Sequence, residues 1–243
     1  MIPSLISRLN NSALALVFPE ICQICESHPA TSKQGYVCDL CCRQLTLTQP
    51  PWCTQCGLPV DYSDSPNNDC LNCKDADWQF EHARSIYVAK GLLRQIIHRY
   101  KYNQHEYFEP LLRSCCLADI PPTRTDYVAL IPIPLYPAKE RGRGFNQAER
   151  LAHYFSESSD IPVQTDLLRR MRFTESQTHL SRAQRKHNLR NAFRCQTKPV
   201  PGNYLLIDDV LTTGATASSA AQALKKAGAQ CVDVLTLARA LPF

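Results

Sequence analysis

Four Cys-x-x-Cys pairs follow one another within residues 22–73: Cys22/Cys25, Cys38/Cys41, Cys53/Cys56 and Cys70/Cys73. Around them the chain is rich in proline and short polar turns, with no sustained apolar periodicity. Such a segment cannot bury much core, so a crosslink must hold it. Two residues between cysteines let a tight turn present both sulfurs to one ion. Tetrahedral zinc, with bonds of about 2.3 Å, needs two such turns. The gaps between partners are alike, 12 residues (26–37) and 13 residues (57–69), which matches two zinc ribbons in series, each made of consecutive pairs. Gly57, directly after Cys56, suits a knuckle because glycine tolerates positive φ.

Disulfides or redox-active pairs are the alternative. The thirteen cysteines are an odd number, and nine fall in residues 22–73 of a 243-residue chain. That crowding, without an export-type leader, favours metal in a reducing compartment. Four thiolates leave no open coordination position, so two structural Zn²⁺ ions are expected. Cys42 adjoins Cys41, and the spacing favours Cys41 as the ligand. Cys115, Cys116, Cys195 and Cys231 lack the spacing and read as buried or ordinary thiols.

Three segments emerge: residues 1–20 as a helix or tail, 21–80 as a double zinc ribbon, and 81–243 as an α/β domain. The apolar patch Ala13–Phe18 runs into Pro19 and reads as a short amphipathic helix packing on the protein, with a weak membrane or export role as the alternative. No run approaches the roughly 20 apolar residues of a membrane helix. A cytoplasmic protein is expected, with a membrane-peripheral location as the variant. Charge divides unevenly: residues 1–80 carry four Lys/Arg against eight Asp/Glu, and the remainder 23 against 14. The second part therefore favours anionic partners.

Strands are expected at 82–89, 127–131, 204–207 and 231–238, with helices at 91–102, 107–117, 146–155, 182–193 and 215–227. A basic loop carrying Lys139, Arg141 and Arg143 should follow the second strand. Strands alternating with helices imply a mostly parallel sheet with helices on both faces.

The most informative stretch runs Leu205-Leu206-Ile207-Asp208-Asp209-Val210-Leu211-Thr212-Thr213-Gly214-Ala215-Thr216. A buried strand delivers two carboxylates at its C-terminal end, where open parallel sheets bind ligands. A Thr/Gly turn then opens a helix, whose N–H groups can surround a phosphate. Gly214 is expected to permit close backbone approach. Acids for sugar hydroxyls beside a monophosphate cradle resemble the signature of type I phosphoribosyltransferases. The resemblance implies that Asp208 and Asp209 take the ribose of phosphoribosyl pyrophosphate (PRPP). It assigns the 5′-phosphate to Thr212, Thr213, Gly214, Ala215 and Thr216. Mg²⁺ would accompany the ligand, and Arg141 and Arg143, whose guanidinium forks match pyrophosphate oxygens, would complete the site.

A second basic segment runs from Gln177 through Arg182, Arg185 and Lys186 to Asn188. The ordered set of zinc ribbons, Arg143-Gly144-Phe145-Asn146-Gln147, this second segment and the Asp-Asp/Thr-Thr-Gly loop resembles the ComF family, which includes ComFC and GntX-like proteins. The likeness spans about residue 20 to the C-terminus. It implies a phosphoribosyltransferase-like protein of natural competence, acting in DNA uptake and transformation. Phosphoribosyl transfer to an unknown acceptor would be its chemistry if it is an enzyme. The alternative is a non-catalytic single-stranded DNA-binding protein whose PRPP site is regulatory. Single-stranded DNA and proteins of the competence machinery are the implied partners. Lone histidines such as His98, His153 and His187 read as surface or packing residues.

Overall fold

A computed structural model describes residues 20–60, 70, 72–74, 76–117, 124–173 and 191–241. The expected N-terminal helix, the whole second basic segment from Gln177 to Asn188 and most of the helix expected at 182–193 lie outside the described residues.

Four strands form one parallel sheet: β1 (Ala83–Val88), β2 (Tyr127–Pro132), β5 (Asn203–Leu211) and β6 (Cys231–Arg239), in the order β1-β6-β5-β2. A separate antiparallel pair joins β3 (Leu168–Arg170) to β4 (Phe193–Cys195). The helices are α1 (Asp39–Cys42), α2 (Gly91–Tyr102), α3 (Glu109–Cys116), α4 (Pro137–Arg143), α5 (Gln147–Ser159) and α6 (Ala215–Ala227).

Both sheet faces are covered, as expected of a parallel sheet. Ile86, Leu130, Leu205, Ile207 and Leu237 meet the apolar sides of α2, α3 and α5. Ala129, Ile131, Leu206, Val232 and Val234 meet Ala217, Ala220, Ala221 and Leu224 of α6, with Leu168 and Phe193 of the small sheet. The apolar spacing Leu92, Leu93, Ile96, Ile97, Tyr100 in α2 is buried throughout.

The first ribbon shares the core beneath α2 and α3: Cys22, Val37, Cys38 and Cys41 are buried in the same apolar cluster. Connecting segments cover the sheet edges, which would otherwise present unpaired backbone groups. Along β1, Thr48 N–H donates to Ile86 O and Val88 N–H to Thr46 O, each at 2.8 Å. Along β2, Leu130 N–H donates to Pro162 O at 2.8 Å.

Three expectations need correction. Residues 137–143 are helix α4 and not a basic loop. Pro137 presets the first turn, and Gly144, at φ 88, closes the last in a left-handed cap that Lys139, Arg141 and Arg143 approach from inside. Strand β5 runs four residues past Ile207, because Asp208, Val210 and Leu211 stay in register with Thr236, Ala238 and Arg239 of β6. Phe193, placed at a helix end from sequence, opens β4, whose three residues pair with β3. Both strands are too short to show a two-residue alternation.

Candidate functional site

The cysteines assemble into two clusters as the consecutive-pair spacing requires: Cys22, Cys25, Cys38 and Cys41, then Cys53, Cys56, Cys70 and Cys73. In the first, Sγ–Sγ distances are 3.7 Å (Cys22–Cys41) and 3.8 Å (Cys25–Cys38). In the second they are 3.7 Å (Cys53–Cys73) and 3.6 Å (Cys56–Cys70). A tetrahedron with bonds of about 2.3 Å has edges of about 3.8 Å, so both clusters fit a structural zinc ion. None of the sulfurs is in a disulfide. Cys42 stays outside, its thiol turned to Val37 O. Sequence spacing did not mark His28, whose Nδ1 lies 3.5 Å from Cys25 Sγ. Gly57 holds φ 65, and a Cβ there would stand 2.4 Å from Ala83 O, so the second ribbon presses on the start of β1.

Asp208 and Asp209 project from the C-terminal part of β5, next to the turn Thr212–Gly214 and the first turn of α6. No side chain caps that first turn. Thr212 is exposed and Thr213, Ala215 and Thr216 are partly exposed, so the turn and the helix start are open to a ligand. Gly214 adopts φ 81, but its missing Cβ makes room for something other than a ligand. The ring of Trp78 lies 2.9 Å from where that atom would be.

Cations converge on the acidic pair from three elements. Lys101, in the last turn of α2, forms an ion pair with the buried Asp209. Lys139 and Arg143 come from α4, and Arg170 from β3. Burial, together with Arg143, Arg170 and Lys101, holds the Lys139 ammonium below the usual lysine range, while Asp209 opposes the shift. Burial likewise lowers Arg170, with Asp208 opposing. Asp208 is pushed up to about 7, by burial first and the Asp209 charge second. Arg143 is buried against Gln147, 2.5 Å from its Oε1, and lies over the Tyr102 ring. Arg141 is exposed. Three cations beside two acids, with Arg143 next to Lys139 and an uncapped helix start adjoining, have the chemistry that a dense anion carrying hydroxyl groups would need.

Sequence reasoning missed Lys101 and Arg170, and gave Lys139 no separate role. The helical spacing of Lys139 and Arg143, four residues apart and so on one face, is the signal that was present.

The double zinc ribbon domain family matches residues 13–76. The chain is 35% identical to the DNA utilization protein YhgH of Escherichia coli (strain K12), over 93% of this chain and the whole of that one. It is 32% identical to competence protein F of Haemophilus influenzae, over 90% of this chain and 96% of that protein. The chain belongs to the ComF family. The competence protein ComFC of Bacillus subtilis is a more distant ComF relative, 28% identical over 84% of each chain. Among the described residues of this ComF protein, no helix is long and apolar enough to cross a membrane.

Proposed function

We propose that this ComF protein binds phosphoribosyl pyrophosphate between β5, α2, α4 and β3 in the service of DNA uptake. The observation that carries the reading is the convergence of Lys101, Lys139 and Arg170 on Asp208 and Asp209 beside the start of α6, with Arg143 next to Lys139. The acids would take the ribose hydroxyls, and Thr212 to Thr216 the 5′-phosphate. The cations, with Arg141 at the rim, would take the pyrophosphate. Mg²⁺ bound with the ligand would be held near Asp208 and Asp209 and would neutralise part of the pyrophosphate charge.

Such a site supports phosphoribosyl transfer. The C1–O bond to pyrophosphate would break as a bond from the acceptor forms, and the cations would stabilise the departing charge. The acceptor's proton would pass to solvent or to a base. The names of the relatives, a DNA utilization protein and two competence proteins, support the DNA context.

Titration calorimetry with PRPP and Mg²⁺ tests the binding reading. Asp208→Asn with Asp209→Asn is expected to weaken binding at least tenfold, about 1.4 kcal/mol, in a folded protein. Lys139→Met should do the same for inorganic pyrophosphate. Unchanged affinity in both folded variants would exclude the site. Pyrophosphate release from labelled PRPP, across nucleobases and oligonucleotides, separates transfer from binding alone.

A further inference from the structure

Arg239 ends β6 and is 1% exposed. Its Nη1 donates to Leu211 O at 2.7 Å and also to Thr212 O. Its Nη2 lies 4.0 Å from Cys56 Sγ. No carboxylate pairs with it among the described residues. A guanidinium stays charged in proteins, and a buried charge needs an opposite one. Four thiolates around Zn²⁺ carry a net charge of −2, so the second cysteine cluster, with metal bound, supplies it. The same guanidinium then fixes the two carbonyls that open the phosphate turn.

A second link runs in parallel. Trp78 Nε1 donates to Cys73 Sγ at 3.4 Å, and the Trp78 ring fills the space beside Gly214, at the other end of the turn. Next to it, Gln79 N–H donates to Ser218 Oγ of α6 at 3.1 Å. Cys56 and Cys73 belong to different knuckles, so both halves of the second ribbon reach the turn. The first cluster points elsewhere: Arg99 Nη1 of α2 donates to Gln23 O at 2.7 Å, and Gly35 lies against Tyr107 and Leu111.

We propose that Arg239 and Trp78 are positioning residues through which the second cysteine cluster, with its metal bound, sets the conformation of the Leu211–Gly214 turn. The first cluster has no such role. The consequence for ligand affinity rests on the phosphoribosyl reading above, whereas the ordering of the turn does not.

The test uses the full chain and two readouts: hydrogen exchange of the 211–217 amides, and affinity for ribose 5-phosphate. Cys70→Ser removes the second metal but leaves both linking thiols, and Cys25→Ser removes the first metal as a control. Cys70→Ser should speed exchange of the turn at least tenfold, leave residues 127–133 unchanged, and weaken ribose 5-phosphate at least tenfold. Cys25→Ser should leave the turn as in the parent.

If Cys70→Ser fails to fold, Trp78→Phe decides. It loses the N–H to Cys73 and the outer ring beside Gly214, so it cuts this link at both ends, and it should speed turn exchange about threefold with both zinc equivalents retained. Parent-like turn exchange in either folded variant overturns the proposal, as does equal acceleration in Cys25→Ser. If exchange follows the expectation but the parent binds no ribose 5-phosphate, the coupling stands and the phosphoribosyl reading falls. If the parent binds and the turn does not respond, the reverse holds.

Discussion

Asp208 concentrates the electrostatics of the site in one carboxyl. Burial and Asp209 push it up to about 7, while Lys101 pulls the other way. In the unfolded chain it would ionise near its ordinary 3.8. Between those values the folded state keeps a proton that the unfolded state has released. Stability therefore falls as pH rises from about 4 to about 7, and the full penalty persists above that. Asp208→Asn removes the penalty. Each kcal/mol moves the melting temperature of a chain this long by about 2–4 °C. A gain of at least about 3 °C is expected at pH 8.5, shrinking to about half at pH 5.5. Scanning calorimetry at the two pH values checks this, and an equal gain at both would mean that charge is not the cause. The acidic pair was legible in sequence because its setting is local: an apolar strand, two acids and a Thr/Gly turn within twelve residues. Lys101 was not. Its partner Asp209 lies far along the chain, and a lysine ending an amphipathic helix carries no local mark.

Among the elements, α4 shows how a wrong local state hides part of a site. Read as a loop, its three basic residues are equivalent. As a helix it sets Lys139 and Arg143 on one face and turns Arg141 away to solvent. Signals for the helix were present in Pro137 and Gly144, but Gly142 between them disguised it. The second ribbon was read correctly as a metal knuckle, and Gly57 as its turn. Its seat on β1 was not readable, because the contact joins Gly57 to Ala83 across residues that carry no periodic pattern. There Gln55 O accepts from Ala83 N–H at 2.7 Å, and Arg84 Nη1 donates to Thr54 O at 3.1 Å. Gly57→Ala places a methyl group against backbone and forces a left-handed residue to carry a Cβ. It should cost more than the roughly 1 kcal/mol of the backbone term alone. The expected outcome is a lower melting temperature and loss of about one zinc equivalent, read by elemental analysis. Two retained equivalents with parent stability would show that the knuckle can shift off β1.

For the whole molecule, charge is partitioned as the chain is. The Cys-rich part is net acidic and the remainder net basic. Residues 139–194 alone hold twelve Lys/Arg against six Asp/Glu. The socket at Asp208 and Asp209 uses Lys139, Arg143 and Arg170 from that span, plus Lys101. Arg113 and Arg150 are taken by Glu157, Glu106 and Glu109 on neighbouring helices. The remaining cations exceed what one pyrophosphate needs. Arg182, Arg185, Lys186 and Arg190 follow β3 in sequence and precede β4, and β3 also carries Arg170. For single-stranded DNA, binding should be weakly dependent on sequence. It should fall with salt at a log–log slope of roughly −0.7 per phosphate contacted. Arg182→Ala with Arg185→Ala should reduce affinity and flatten the slope by about one to one and a half, leaving PRPP calorimetry unchanged. Fluorescence anisotropy with a short labelled oligonucleotide at several salt concentrations measures both. A flat titration near physiological salt would confine this chain's anion binding to the socket, because a basic segment that is merely solvated gives no saturable signal.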